Sequence, residues 1–169
     1  MSVRRRAGLA CALAGTLWLA SCAAPQPPAP SVVAQPNQTW SGRLALQVQS
    51  TPPQSLSAVF DLKGSPQAGE LVLTTPLGST LARMAWAPGT ATLQSGNDTR
   101  QFDSVDALIS QLTGTPVPVP ALFEWLAGRP ADADGWRADL SQYAQGRLQA
   151  RRETPAPIAD LRLVLERQP

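Results

Sequence analysis

The chain has 169 residues, 14 of them Lys or Arg and 12 Asp or Glu, with no histidine. Without imidazole there are no Ser/His or Cys/His nucleophilic pairs, no histidine metal ligands and no charge switch near neutral pH. The slight basic excess sits in Arg4, Arg5 and Arg6; without residues 1–21 the remaining 148 carry a net −1, so no basic stripe is left to meet phosphates and nucleic-acid binding is not expected. A chain of that length buries a core of its own.

In chain order, the three arginines precede an apolar stretch, Ala7–Ala20, that is short and rich in small residues for a membrane span and matches a signal-peptide core. It ends in Leu19-Ala20-Ser21-Cys22, which resembles a bacterial lipobox: a branched apolar residue, two small ones and the cysteine that receives diacylglycerol. Residues 1–21 are therefore expected to be a cleaved lipoprotein signal and Cys22 the lipid-attachment residue. Cys11 goes with the leader, and a single remaining thiol forms no disulfide framework. Ala23, by resemblance to bacterial lipoprotein sorting, permits passage to the outer membrane. Residues 22–38 hold Pro25, Pro27, Pro28, Pro30 and Pro36 with no charge, the composition of an extended tether. The folded domain is assigned to 39–169.

From Trp40 onward the pattern has period two. Arg43–Gln49, Leu56–Lys63, Glu70–Thr75, Thr80–Ala87 and Thr90–Ser95 read as strands, broken at Gly64-Ser65-Pro66, Pro88-Gly89 and Gly96-Asn97-Asp98. Helix then intervenes. Ser104 can cap Val105–Leu112, whose Val105, Leu108, Ile109 and Leu112 fall at i, i+3, i+4 and i+7, with Gly114 as the stop. A second short helix opens at Pro120 and closes at Gly128. Strands resume at Gly135–Tyr143, Gly146–Arg152 and Asp160–Arg167. This order predicts a mainly β domain with a few helices: one curved antiparallel sheet with the helices covering one face.

Carboxylates are the available acid–base groups. Asp132 with Asp134, and Asp98 with Asp103, are candidates for a cation site or a hydrolytic cleft, but each lies beside Gly, Pro or Asn, where aspartate serves a turn. No phosphate-binding loop follows Gly114-Thr115-Pro116. No catalytic residue, metal or cofactor is assigned. The apolar inventory points elsewhere: the strands offer more greasy surface than two short helices can cover, which suits a cavity for an apolar ligand. Taken singly, each of Trp40, Trp86, Trp125 and Trp136 reads best as core. Leu77, between Pro76 and Gly78, sits in a turn, either folded back on the sheet edge or exposed as an apolar tip.

Several blocks carry a family resemblance. They are the lipobox at Cys22, Gly42-Arg43-Leu44-Ala45, Leu73 through Thr80, Leu112 through Pro118, Trp125 through Pro130, and Arg162-Leu163-Val164-Leu165. In these the chain resembles the LolB family of outer-membrane lipoproteins. The resemblance implies a half-barrel with helices in its mouth around an apolar cavity for acyl chains, and a protruding leucine that helps pass cargo into the bilayer. By motif that leucine is Leu77, in Pro76-Leu77-Gly78. Candidates for the cavity wall are Leu44, Leu46, Phe60, Leu62, Leu71, Leu73 and Trp125. The implied partners are a LolA-like periplasmic carrier, acylated lipoprotein cargo and outer-membrane lipids, met by a lipid-anchored monomer facing the periplasm. Two departures, a chain ending at Pro169 without an aromatic residue and a compact stretch between Trp136 and Leu161, suggest a slightly smaller sheet or an altered cavity floor. Two rivals remain at this stage. One is an assembly-factor lipoprotein docking a protein partner, which a solidly filled core would favour. The other is a hydrolase using two of Asp98, Asp103, Asp132 and Asp134.

Overall fold

The structure is a computed structural model that describes residues 38–166. The leader over 1–21, Cys22 and the tether as far as residue 37 lie outside those residues. Nine antiparallel strands form one open sheet: β1 (Gln38–Val48), β2 (Gln54–Gly64), β3 (Gly69–Thr74), β4 (Thr80–Ala87), β5 (Thr90–Ser95), β6 (Asp98–Phe102), β7 (Trp136–Asp139), β8 (Arg147–Arg152) and β9 (Ala159–Leu165). Their order across the sheet is β6-β5-β4-β3-β2-β1-β9-β8-β7. β9 returns beside β1, so the last strand lies next to the first and the three C-terminal strands extend the sheet on that side. The expected curved, mainly antiparallel half-barrel with two helices is what forms.

The period-two stripes fall on the inner face in register. Leu62, Leu71, Met84 and Leu93 make one row across β2 to β5. Leu148, Leu163, Leu44 and Ala58 make another across β8, β9, β1 and β2. Each burial of a leucine or phenylalanine in such a row contributes about 1.5–3 kcal/mol, which holds the strands in this register and no other, since a one-residue slip would turn the stripe to water. Gly42 is required where β1 meets β9, because a Cβ there would stand 2.1 Å from the Val164 carbonyl oxygen.

Two helices cross the inner face, α1 (Val105–Thr113) and α2 (Val119–Leu126). Ser104 caps α1, its hydroxyl accepting from the Ala107 N–H at 3.1 Å, and Gly114 ends it in the left-handed region at φ +67°. Of α1's side chains Leu108 alone is fully buried, whereas α2 buries five of its eight residues. The loop after α2 is tied by an Arg129–Glu124 ion pair at 2.5 Å, and the Tyr143 hydroxyl donates to the Leu126 carbonyl at 2.8 Å. α2 is therefore anchored to the sheet, and α1 rests on it more lightly.

Three expectations need correction. β6 is a strand the sequence does not predict: Asp98 belongs to the expected break and the residues after it are exposed apart from a half-buried Phe102, so this edge strand has no apolar stripe to betray it. The strand expected over Gly135–Tyr143 stops at Asp139, whose carboxylate accepts the Ser141 N–H at 2.9 Å and turns the chain into a 3-10 turn at Tyr143–Gln145. β1 begins at Gln38, a residue assigned to the tether, because Gln38 already pairs with Gly64.

Candidate functional site

Between the inner face and the helices lies a cavity of about 400 Å³. Its sheet wall includes Leu44, Leu46, Phe60, Leu62, Leu71 and Leu73, six of the seven residues proposed for it from the sequence. Trp125, the seventh, is buried elsewhere. Its indole N–H donates to the Ala131 carbonyl at 3.1 Å and its ring packs against Trp136 at 6.5 Å, under the far side of α2. The Trp136 N–H in turn donates to the Pro116 carbonyl at 3.0 Å, so this pair fastens the connector between the helices to the sheet. The sequence could not separate it from the cavity tryptophan.

That tryptophan is Trp86. It lines the cavity where β4 ends, its N–H donated to the Ser65 carbonyl at 3.1 Å. Phe123 of α2 stands edge-on to Trp86, with centroids 6.4 Å apart, and to Trp40 at 5.4 Å, so three aromatic rings close this end. The helix wall is Val105, Ile109 and Leu112 of α1 with Val119, Leu122 and Leu126 of α2. The apolar face of α1 was legible in its i, i+3, i+4, i+7 spacing; which helix residues would face space rather than sheet was not.

The β3–β4 turn carries Leu77, 96 % exposed and the most exposed large apolar side chain described. Backbone bonds hold this tip: the Thr75 N–H donates to the Ser79 carbonyl at 2.8 Å and the Gly78 N–H to the Thr75 carbonyl at 2.9 Å. Of the two positions the sequence left open for Leu77, the tip is the one occupied. Such exposure of a leucine is unfavourable in water unless something apolar meets it.

The model of the family described as "Outer membrane lipoprotein LolB" matches residues 37–159, which covers every strand but the last together with both helices. The chain belongs to the LolB family. Among curated relatives, the outer-membrane lipoprotein LolB of Bordetella petrii is 37 % identical over 147 residues, covering 74 % of this chain and 73 % of that protein. The LolB proteins of Chromobacterium violaceum and Cupriavidus metallidurans are 34 % and 32 % identical, covering 70 % and 89 % of this chain and 71 % and 74 % of theirs. Membership makes this LolB-family chain an outer-membrane lipoprotein with a part in lipoprotein localisation. Among the described residues no helix is long and apolar enough to cross a membrane.

The four aspartates weighed for a hydrolytic cleft are all exposed, and none lines the cavity. One buried charge was not foreseen. Arg152 on β8 points into the protein, donating through Nη1 to the Thr115 hydroxyl, while its Nε has no partner among the described residues. Its neighbours Leu148 and Ala150 are buried too, so the strand's pattern marks Arg152 as inward; its charge argued for the outside.

Proposed function

We propose that this domain takes the acyl chains of lipoproteins from a LolA-like periplasmic carrier into its cavity and passes them to the outer membrane, without nucleotide. The cavity carries the reading: about 400 Å³ of space lined almost wholly by leucines, other aliphatics and aromatic rings has no use for a polar ligand. A triacylated lipoprotein has roughly forty methylenes to hide, worth about 0.8 kcal/mol each, so the chains cannot cross water unsheltered. Transfer downhill from carrier to receptor to bilayer needs no other energy source.

Three full chains of roughly forty methylenes are bulkier than a cavity of about 400 Å³, so loading displaces part of the cover. α1, with Leu108 its one fully buried anchor, is the part that moves, while α2 stays fixed. Leu77 then enters the lipid surface as cargo is released. In this proposal residues 1–21 are the cleaved signal, Cys22 carries the lipid anchor, the residues from there to 37 form the tether, and the domain that starts with β1 at Gln38 works as a monomer facing the periplasm. The rival in which the domain docks a protein partner by its sheet edge or apolar tip called for a filled core, and the cavity weighs against it.

The test loads a fluorescently acylated lipoprotein on its periplasmic carrier and mixes it with the purified protein in the absence of ATP. The label is expected to move to the protein and then to added vesicles. Label that remains on the carrier at excess receptor would overturn the proposal.

A further inference from the structure

The cavity is not uniformly greasy. Its polar lining residues are Gln54, Ser55 and Thr113, and they sit together at one end. Gln54 belongs to the inward stripe of β2, ahead of Leu56, Ala58, Phe60 and Leu62, and is the point where that stripe turns polar. The last turn of α1 lies over it, since a Cβ on Gly114 would stand 3.1 Å from Gln54 Nε2. The Thr113 hydroxyl is already engaged with the carbonyls of Ile109 at 2.9 Å and Thr115 at 2.7 Å. The side chains of Gln54 and Ser55 make no hydrogen bond among the described residues. The opposite end is closed by Trp86 and Phe123, with the tryptophan N–H spent on Ser65.

We infer that Gln54 is a polar collar that hydrogen-bonds the ester and amide carbonyls at the head of the bound acyl chains, and so fixes the direction in which they lie. The inference rests on the acyl-chain reading above. An N-acyl, S-diacylglyceryl cysteine joins its hydrocarbon to the polypeptide through carbonyl acceptors, and inside an otherwise apolar cavity these find donors only at this end. The chains therefore lie with their tails against Trp86 and Phe123, and the cargo polypeptide leaves past the β1–β2 hairpin. The register supports the same direction. Gly69 of β3 pairs with Gly64 and Thr74 with Val59, so β3 runs toward the Gln54 end of β2 and delivers Leu77 there. The head of the cargo and the exposed leucine thus share one end of the sheet.

The experiment uses the full-length protein at a fixed concentration of mild nonionic detergent and measures displacement of a fluorescent fatty-acid probe by two synthetic lipopeptides. One carries ester-linked chains on a diacylglyceryl cysteine; the other is the matching ether-linked analogue without ester carbonyls. The unaltered protein is expected to prefer the ester form about fivefold, the value of one hydrogen bond. Gln54→Leu is expected to abolish the preference, so that the two forms displace the probe equally, with the melting temperature unchanged because Gln54 is exposed and its side chain unbonded. Equal binding of the two forms by the unaltered protein, or a preference retained in Gln54→Leu, would overturn the collar while sparing the cavity. Displacement by neither lipopeptide would remove the acyl-chain reading and the collar with it.

Discussion

Replacing Leu77 with glutamate separates folding, cargo reception and membrane delivery. The side chain is 96 % exposed and the turn beneath it is held by backbone bonds at Thr75, Gly78 and Ser79, none of which involves the leucine itself. The fold should therefore change by no more than about 0.5 kcal/mol, the usual range for an exposed position. Cavity affinity should be unaltered, since Leu77 is not among its lining residues. A leucine fully buried in lipid gains about 1.5–3 kcal/mol, which at about 1.4 kcal/mol per decade is roughly ten- to hundredfold in the occupancy of the membrane-engaged state. Glutamate forfeits that gain and adds a charge to be desolvated, so delivery to phospholipid vesicles should fall at least tenfold while uptake from the carrier stays within twofold. Leu77→Ala should fall between. The assay follows one labelled lipoprotein through both steps, with melting curves as the control for folding. Equal loss of uptake and delivery, or loss of neither, would refute the reasoning.

Filling the cavity should act on the other step: Ala82→Phe, on the β4 wall, is expected to weaken binding of an acyl probe at least tenfold, measured by fluorescence, while exposed Leu77 still engages vesicles. Thr115→Val leaves the buried Arg152 guanidinium without its hydroxyl acceptor and should cost about 1.5–3 kcal/mol by urea unfolding. Adding Arg152→Met should recover most of that loss, because the uncompensated charge goes too; a neutral Thr115→Val would contradict this. The pH dependence of stability should be carboxylate-driven. The Arg129 guanidinium, by hydrogen bond and charge, holds Glu124 below the usual carboxylate range, and the Ser141 backbone N–H does the same for Asp139. Since both are depressed in the folded state, their contribution is present above the ordinary carboxylate pKa and is lost as pH falls through the lowered values. With no histidine in the chain, the melting temperature should be flat from roughly pH 6 to 8 and drop only in acid.

How far the site could be read in advance follows from how each residue signals itself. Leu44, Leu46, Phe60, Leu62, Leu71 and Leu73 alternate with polar neighbours on amphipathic strands, so their inward face was visible in one dimension. Trp125 had no such signature: on a short helix that buries five of eight residues, the sequence does not say which side meets the sheet and which meets empty space. β6 escaped for the opposite reason, since an exposed edge strand is held by its backbone bonds to β5 and needs no apolar stripe.

Composition alone removed histidine chemistry from consideration, since the chain has no imidazole. Local pattern set the strand faces, the Ser104 and Gly114 caps and the breakers around them, because backbone propensity and side-chain periodicity are properties of neighbours in the chain. The cavity is of another kind. It exists because rows from β1, β2, β3, β4 and β9 are brought opposite two helices too small to fill the space, and that mismatch of volumes has no local signal. The same holds for the meeting of Gln54 with the end of α1 and for the shelter around Arg152, contacts between segments far apart in sequence that tertiary packing alone decides.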